Sequence, residues 1–215
     1  MSDQEIIREF FINKLWEIQS IPLILECKQP KFGKDYIGEV TGKFTKNNYP
    51  EMYIDTLDNS RYQISFQDES FISLYYKFSK DGEIERYNLS FIPSIDMDAT
   101  LDTDNSGTNF DFGMLDYMRL DYDPQGFQKV LHELQHLHIG LSYHDEKDKE
   151  DLRNEFRIPV AEKLYPWDFI YLISKFIYHL DEKYDNIFKK FVVSRCQLIE
   201  IEEQNLHINF NLNEQ

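Results

Sequence analysis

The sequence predicts an α+β fold in which an antiparallel sheet is flanked by an N-terminal helix and by a long helix in the C-terminal half. Apolar residues recur at helical spacing near the N-terminus and again after Pro166, and between them strand-like runs are separated by Gly, Asn and Pro. The 17 Phe and 14 Tyr favour sheet-rich packing, because aromatic side chains suit a pleated, half-buried surface. A chain of 215 residues with ordinary apolar content builds one core, so residues 1–215 are predicted to form a single domain.

The first predicted element is a helix that begins at a capping box. Ser2 and Glu5 have the spacing at which each side chain can accept a hydrogen bond from the backbone N–H of the other. The helix should end before Pro22, because proline cannot continue a helical hydrogen-bond pattern. Its buried face is formed by apolar residues at helical spacing: Ile6, Phe10, Phe11, Leu15 and Ile18.

Strands are predicted from Tyr36 onwards, where Gly, Asn and Pro interrupt the apolar runs. The clearest pair is residues 71–78 and 83–92, which are joined by Ser79-Lys80-Asp81-Gly82. Asp-Gly between two apolar runs is a strong hairpin signal, because glycine adopts the positive φ that such turns need. These two segments should therefore pair in an antiparallel sheet.

The C-terminal half predicts one long helix and a last strand. Residues 166–191 have helical periodicity and length, and Pro166 suits the first helical turn. The apolar positions of this helix are Trp167, Phe169, Ile170, Ile173, Phe176, Ile177 and Leu180. Residues 206–212 alternate apolar and polar side chains, which is typical of a half-buried strand.

Charge and cysteine content restrict the classes of protein to which this chain can belong. Cys27 and Cys196 are too few for a disulfide framework, and the sequence has no signal peptide and no apolar run of membrane-spanning length. We therefore expect a cytoplasmic protein without membrane contact. The net charge of −16 repels phosphate backbones, so it favours a basic protein partner or a bound cation unless a local basic cluster opposes the overall field.

An acidic segment follows the predicted hairpin. Between Pro93 and Arg119 there is no Lys or Arg, but there are several Asp residues. Residues 102–107 imitate the opening of a calcium-binding loop, but the twelfth position is Gly113 instead of a bidentate Glu. A solvated acidic loop is therefore the preferred interpretation, and it is the surface on which a basic protein partner or a cognate antitoxin would dock.

The segment from Arg119 to Gly140 is the candidate functional site, because it contains half of the six histidines beside two carboxylates. A first interpretation is helical, with Asp123 as the N-terminal cap. His132-Glu133-Leu134-Gln135-His136 then matches the zincin motif, in which two histidines one turn apart bind zinc and the Glu between them acts as general base. Glu155 lies at a distance along the chain where a third ligand could fall, so the metal set would be His132, His136 and Glu155.

A second interpretation makes residues 120–123 and 136–140 strands. Alternation then places His136 and His138 on one face of the sheet, and Asp121 and Asp123 on one side of the neighbouring strand. With Arg119 nearby, such a cluster could bind a divalent ion such as zinc or magnesium. It could also cleave a phosphodiester in RNA or a nucleotide, with His as acid and base and Arg stabilising the developing charge.

The spacing of these residues resembles an uncharacterised bacterial family that is catalogued only as a domain of unknown function. The resemblance rests on Arg119-x-Asp121-x-Asp123, on His132-x-x-x-His136-x-His138-x-Gly140, and on Arg157-x-Pro159 followed by the aromatic helix after Pro166. More distantly, the order of a sheet, Arg-x-Asp and a late His-x-His before a helix is similar to TumE-type toxins. This second similarity implies a toxin or phage-defence context.

From these patterns we expect a small intracellular toxin-like or phage-defence effector that acts as a hydrolase on RNA or a nucleotide. The expected catalytic residues are Arg119, Asp121, Asp123, His132, His136 and His138. Two alternatives stay open at this point. One is a zinc-dependent peptidase that uses His132-Glu133-x-x-His136, and the other is a non-enzymatic subunit of a defence complex that binds a basic protein partner.

Overall fold

One antiparallel sheet forms the centre of the fold. The computed structural model describes residues 1–39, 49–95, 117–124, 135–140, 156–160 and 162–191. Within these ranges eight strands pair in a single sheet, and every pairing is antiparallel. The strands are β1 (Ile24–Cys27), β2 (Tyr36–Gly38), β3 (Ile64–Phe66), β4 (Phe71–Phe78), β5 (Ile84–Ile92), β6 (Met118–Tyr122), β7 (Gln135–Ile139) and β8 (Phe156–Pro159).

The strand order is β1-β3-β4-β5-β6-β7-β8, and β2 pairs with β4. β3 pairs with Phe71 and Ile72 at the start of β4, whereas β2 pairs with residues 75–77 near its end. β2 and β3 therefore lie end to end along the same edge of β4. The predicted α+β class with an antiparallel sheet is confirmed.

The predicted hairpin is formed by β4 and β5. Their register runs from Phe71 opposite Ile92 to Phe78 opposite Ile84. In the turn between them, the N–H of Gly82 donates to the carbonyl of Ser79 at 3.1 Å. Gly82 has a φ of +83°, which is why glycine is needed at this position of the turn.

The N-terminal helix begins at the predicted capping box and ends before Pro22. It consists of α1 (Asp3–Glu9), a π-helical turn (Phe10–Lys14) and α2 (Leu15–Gln19). The Ser2 side chain accepts from the N–H of Glu5, and the Glu5 side chain accepts from the N–H of Ser2. Asp3 anchors the helix to the rest of the fold, because its carboxylate accepts from the Tyr165 hydroxyl at 2.6 Å and from the Ile84 N–H at 3.1 Å.

One face of the sheet is covered by this N-terminal helix and by α4 (Pro166–Phe176). Most of the strand residues that point to this face are apolar, and they belong to the main core together with residues of both helices. Phe10 and Trp167 join the two helices, with ring centroids 5.3 Å apart. The strand residues in this core include Leu74, Tyr76, Leu89, Phe91, Leu120, Tyr122 and Leu137.

The opposite face of the sheet carries a helix where the sequence predicted only strands. Helix α3 (Tyr49–Asp58) packs its buried Tyr49 and Tyr53 onto this face. Tyr53 stacks on Phe71 with ring centroids 4.8 Å apart, and Tyr49 meets Tyr117 edge to face at 6.4 Å. The expectation of strands alone from Tyr36 to the hairpin is therefore wrong, and α3 closes one end of the second face.

The C-terminal helix is shorter than predicted. Residues 166–191 do not form one helix, because α4 ends at Phe176 and is followed by a 3-10 turn (Glu182–Tyr184) and by α5 (Asp185–Lys189). His179 has a φ of +49°, a left-handed conformation that no α-helix can accommodate. Both α4 and α5 nevertheless pack on the same core.

Two predicted features lie outside the described residues. They are the acidic loop at residues 102–113 and the last strand at residues 206–212. Among the described residues, no helix has the length and apolar character that crossing a bilayer requires.

Candidate functional site

The chain is a strand at residues 135–139, so the helical interpretation of the histidine segment is wrong there. The zincin motif requires both histidines on one helix, one turn apart. His136 lies instead in β7, where it pairs with Asp121 of β6 and Pro159 of β8. His132, Glu133 and Glu155 lie outside the described residues, so the predicted metal set is tested only at His136.

The strand interpretation is confirmed at β6 and β7, and it places polar residues in two rows across the second face of the sheet. In an antiparallel sheet, residues directly opposite each other share a face. The first row is Tyr75, Asn88, Asp121 and His136, and the second row is Ser73, Ser90, Arg119 and His138. Two of the histidines, one Asp and Arg119 therefore meet on one face, as the alternation of the sequence predicted.

The Asp121 carboxylate is the centre of these contacts. Its Oδ1 accepts from the side-chain amide of Asn88 at 2.6 Å, and its Oδ2 accepts from Nε of Arg119 at 2.8 Å. Nε2 of His138 lies 3.2 Å from the same Oδ2. We call Asn88, Arg119, Asp121, His136 and His138 the Asp121 cluster. Both carboxylate oxygens are thus held by donors from neighbouring strands, which fixes the orientation of the group.

The two histidines of β7 form a close pair. The ring centroids of His136 and His138 are 4.4 Å apart with an interplanar angle of 64°. Both residues are almost completely buried, at 2% and 1% exposure. The side chains of Asp121 and Arg119 retain 21% and 11% exposure, so a ligand approaching the cluster from solvent meets these two groups first.

The electrostatics of the cluster determine which atoms carry protons. Burial alone would raise the pKa of Asp121, but the hydrogen bond from His138, the charge of Arg119 and the amide of Asn88 outweigh it and hold this pKa well below its usual range. Asp121 is therefore ionised at neutral pH and only accepts hydrogen bonds. The 3.2 Å contact of Nε2 with the ionised Asp121 favours the His138 tautomer that has its proton on Nε2 and its lone pair on Nδ1, whereas Nη2 of Arg119, 3.3 Å from the same Nε2, favours the opposite tautomer.

Tyr117 and Ser90 border the cluster on the side of α3. Burial raises the pKa of Tyr117 to about 12, against the lowering influence of the Arg119 charge and of hydrogen bonds with Ser90 and Arg119. The Tyr117 hydroxyl therefore stays protonated at neutral pH. Because Tyr117 also packs on Tyr49, helix α3 and the Asp121 cluster share one boundary.

A protein-family model matches nearly the whole chain. Residues 15–210 match the family model described as "Uncharacterized conserved protein (DUF2290)". The chain belongs to the DUF2290 family. The predicted resemblance to a family of unknown function is confirmed in this general form. No curated protein and no solved structure shows a significant match to this DUF2290 chain.

Asp121, His136 and His138 of this DUF2290 protein form a group that could hold a metal ion. One ligand atom from each residue lies within 4.8 Å of the others, and imidazole with carboxylate is a common ligand set for transition metals. Arg119 opposes such binding, because its guanidinium lies 2.8 Å from Asp121 Oδ2 and 3.3 Å from His138 Nε2. A divalent cation among these atoms would be repelled by a fixed positive charge that already neutralises the carboxylate.

Four residues of the site were predicted from the sequence, and two were not. Arg119, Asp121, His136 and His138 come together as predicted, and Asp123 follows the last residue of β6. Asn88 was missed, although it is one of the polar residues that alternate with the buried Tyr87, Leu89 and Phe91 of β5. That alternation was the available signal that the second face of this DUF2290 sheet is polar. Tyr117 was missed as well, and its part in the site follows only from tertiary packing.

Proposed function

We propose that this DUF2290 protein is a toxin-like or phage-defence effector that cleaves phosphodiester bonds in RNA by acid–base chemistry at the Asp121 cluster. The observation that carries the proposal is the joint contact of Arg119 and His138 with the ionised carboxylate of Asp121. A base oriented by a carboxylate, beside a fixed cation, is the arrangement that a phosphoryl-transfer transition state requires.

Nδ1 of both His136 and His138 is buried, so the proposed roles require the RNA to displace the side chains that pack over the two rings. Nδ1 of His138 then takes the proton of the ribose 2′-hydroxyl, whose oxygen bonds to phosphorus as the bond from phosphorus to the 5′-oxygen breaks. His136, whose ring lies 4.4 Å from that of His138, gives a proton to the departing 5′-oxygen. The products are a 2′,3′-cyclic phosphate and a 5′-hydroxyl. The step needs no oxidant or reductant. Arg119 stabilises the negative charge on the phosphoryl oxygens.

Asp121 and Asn88 act through the other residues. Asp121 holds His138 in the tautomer with Nε2 protonated, and it stabilises the imidazolium that forms when Nδ1 takes a proton. Asn88 fixes the carboxylate by donating to its second oxygen at 2.6 Å. Arg119 supplies the positive charge that a metal ion would otherwise bring, so the geometry favours the metal-free mechanism over a zinc or magnesium centre.

The toxin context of the proposal rests on the expected resemblance to TumE-type toxins, which stays a prediction from the sequence, and the cluster geometry supports the chemistry. Asp123 and His132 stay in the proposal as further candidates, because Asp123 directly follows β6 and His132 is close in sequence to β7. The expected localisation is the cytoplasm, where RNA substrates are available.

The metal-free mechanism predicts cleavage that is insensitive to chelators and that depends on the 2′-hydroxyl. Purified protein treated with EDTA should cleave a labelled single-stranded RNA, and the product should carry a cyclic phosphate detectable by mass spectrometry. The same sequence as DNA, or as RNA methylated at the 2′-oxygen, should stay intact because its nucleophile is missing. Activity that is lost with EDTA and restored by zinc would contradict this mechanism and favour a metal centre on Asp121, His136 and His138.

A non-enzymatic role in a defence complex is the second candidate, and the net charge of −16 supports it. If the protein acts by docking a basic partner or antitoxin, the affinity of the complex should fall steeply as salt is raised. Isothermal titration at two ionic strengths would measure this dependence. In that case a His138→Gln variant should bind the partner and protect the cell as the wild type does, whereas the enzymatic proposal requires the variant to lose its effect.

A further inference from the structure

A cleft opens on the second face of the sheet at the edge formed by β2. It has a volume of about 490 Å³ and is lined by Lys31, Tyr36, Gly38, Glu39, Arg61 and Tyr75. Protein clefts that hold small organic ligands have volumes of roughly 300–1,000 Å³, so this one is large enough for a nucleotide. We call it the Tyr36 cleft.

Two tyrosine rings provide flat surfaces in the Tyr36 cleft. The rings of Tyr36 and Tyr75 are nearly parallel, at an interplanar angle of 29°, with centroids 6.5 Å apart. Tyr36 is 38% exposed, so part of its ring is available to a ligand. Exposed aromatic rings on a sheet are a surface on which the bases of single-stranded nucleic acid stack without sequence preference.

Two glycines fix the shape of this wall. A Cβ on Gly33 would lie 2.1 Å from the Tyr36 ring, so the ring rests directly against the backbone there. A Cβ on Gly38 would lie 1.8 Å from the Leu74 carbonyl oxygen, and Gly38 has a φ of +91°. Only glycine allows β2 to approach β4 this closely, and the part of the cleft at Gly38 consequently has no side chain.

Two cations line the cleft in a chain whose net charge is −16. Lys31 pairs with Glu39 at 2.6 Å, and Arg61 pairs with Asp55 at 2.6 Å. Both pairs are partly exposed, and exposed ion pairs contribute little to stability. A phosphate, which accepts several hydrogen bonds from an Arg or Lys, can therefore replace the carboxylates as their partner.

The cleft and the Asp121 cluster are joined by one row of residues. Gly38 pairs with Tyr75, Tyr75 with Asn88, and Asn88 with Asp121. All of these residues share the second face of the sheet. Because neighbouring strands lie about 4.8 Å apart, Tyr75 and Asp121 are separated by roughly 10 Å, which a short oligonucleotide can span.

We propose that the Tyr36 cleft is a substrate subsite for single-stranded RNA, where a base stacks on Tyr36 and Tyr75 and a phosphate binds Lys31 and Arg61. The inference rests on the proposed function, since it makes the cleft the part of the RNA site that lies beside the cleaved bond. In this proposal Lys31 and Arg61 hold the phosphate after they release Glu39 and Asp55, their partners in the free protein. A strand that is single rather than double is required, because only unpaired bases expose their faces to the rings.

Binding is tested separately from cleavage by using RNA methylated at the 2′-oxygen, which cannot be cut by the proposed mechanism. Fluorescence anisotropy of a labelled short oligonucleotide gives its affinity for the wild type and for each variant. Tyr36→Ala should weaken binding by about tenfold, because one stacked base contributes roughly 1–3 kcal/mol. Tyr36→Phe should bind like the wild type, since it keeps the ring. Trp16→Ala removes an aromatic side chain that is 67% exposed on α2, outside the cleft, and should leave the affinity unchanged.

The proposed phosphate contact should affect how the RNA affinity depends on salt concentration. Each phosphate bound by a cation contributes about −0.7 to the slope of log affinity against log salt for single strands. Arg61→Gln should therefore make this slope shallower by about that amount, whereas Lys183→Gln on the exposed 3-10 turn should not. An Arg61→Gln slope equal to that of the wild type would overturn the phosphate part of the proposal.

The two proposals fail in different ways. If the wild type binds no methylated RNA, or if Tyr36→Ala binds it as tightly as the wild type, the subsite is wrong whatever the cleavage assay shows. If Tyr36→Ala loses affinity as expected but unmodified RNA is never cut, the subsite stands as an RNA-binding surface and the hydrolase proposal is wrong. Thermal unfolding of each variant confirms that a loss of affinity is not a loss of fold.

Discussion

Replacing His138 with Gln should reduce RNA cleavage by about a hundredfold to ten-thousandfold, the contribution expected of a general base. Gln is chosen because its side-chain amide can still donate to Asp121 Oδ2, the oxygen that lies 3.2 Å from Nε2 in the wild type. It cannot take up a proton at neutral pH, so the chemical step is lost while the packing is largely kept. The measurement is a single-turnover cleavage rate on labelled RNA with protein in excess.

A substitution at His179 is the control for this variant. His179 is exposed and lies beyond the end of α4, away from the second face of the sheet. Because its φ is +49°, the control substitution is His179→Asn, since Asn tolerates the left-handed conformation better than Ala does. His179→Asn should cleave RNA at the wild-type rate. Anisotropy with methylated RNA should show that His138→Gln still binds substrate, which separates a lost proton transfer from a lost site.

A variant of His136 tests whether this residue is the general acid. If His136 is the acid that protonates the departing oxygen, His136→Gln should also lose activity, and the double variant should lose little more than either single one because both residues act in one step. Cleavage at the wild-type rate by His138→Gln would exclude the proposed base. In that case the cluster would be a structural polar network, in which Asp121 serves mainly to neutralise Arg119.

The sequence located the site because its signals there are local. Asp121 and Arg119 alternate with apolar residues, as do His136 and His138, and alternation specifies the face of a sheet without any knowledge of strand order. What the sequence did not resolve is whether the chain is a helix or a strand at His136 and His138. Helical spacing of apolar residues extends to Leu134 and alternation begins at His136, and the pairing of β7 with β6 and β8 shows that residues 135–139 are a strand.

Other errors have different physical origins. The signal for α3 was present, because Tyr49, Tyr53 and Thr56 are buried at helical spacing and Pro50 suits a first turn. The end of α4 had no strong sequence signal, because the left-handed residue that follows this helix is His179 and not the usual Gly or Asn. The turn is closed locally by the N–H of Leu180, which donates to the carbonyl of Ser174 at 2.9 Å. The role of Asn88 depends on the register between β5 and β6, which is set by contacts between residues far apart in the sequence.

Replacing Asp121 with Ala should lower the free energy of unfolding by about 3 kcal/mol at neutral pH, because breaking a buried ion pair leaves the other partner uncompensated. Arg119, whose side chain is 11% exposed, would lose its carboxylate partner, and Asn88 and His138 would lose an acceptor. Asp121→Asn should cost less, because an amide oxygen still accepts hydrogen bonds. Asp58→Asn, at the exposed end of α3, is the matched control and should stay within about 0.5 kcal/mol of the wild type. Urea unfolding followed by circular dichroism measures all three.

The stabilising effect of Asp121 should depend on pH. The pKa of Asp121 is lower in the folded protein than in the unfolded chain, where it is about 3.9. Its ionised form therefore stabilises the fold fully above that value, and the contribution is lost as pH falls towards the folded pKa. The stability difference between wild type and Asp121→Asn should be constant from neutral pH down to about pH 5 and should shrink below about pH 4. A difference that is the same at pH 3 and at pH 7 would mean that Asp121 is not held as a buried anion, and the proposed orientation of His138 would lose its physical basis.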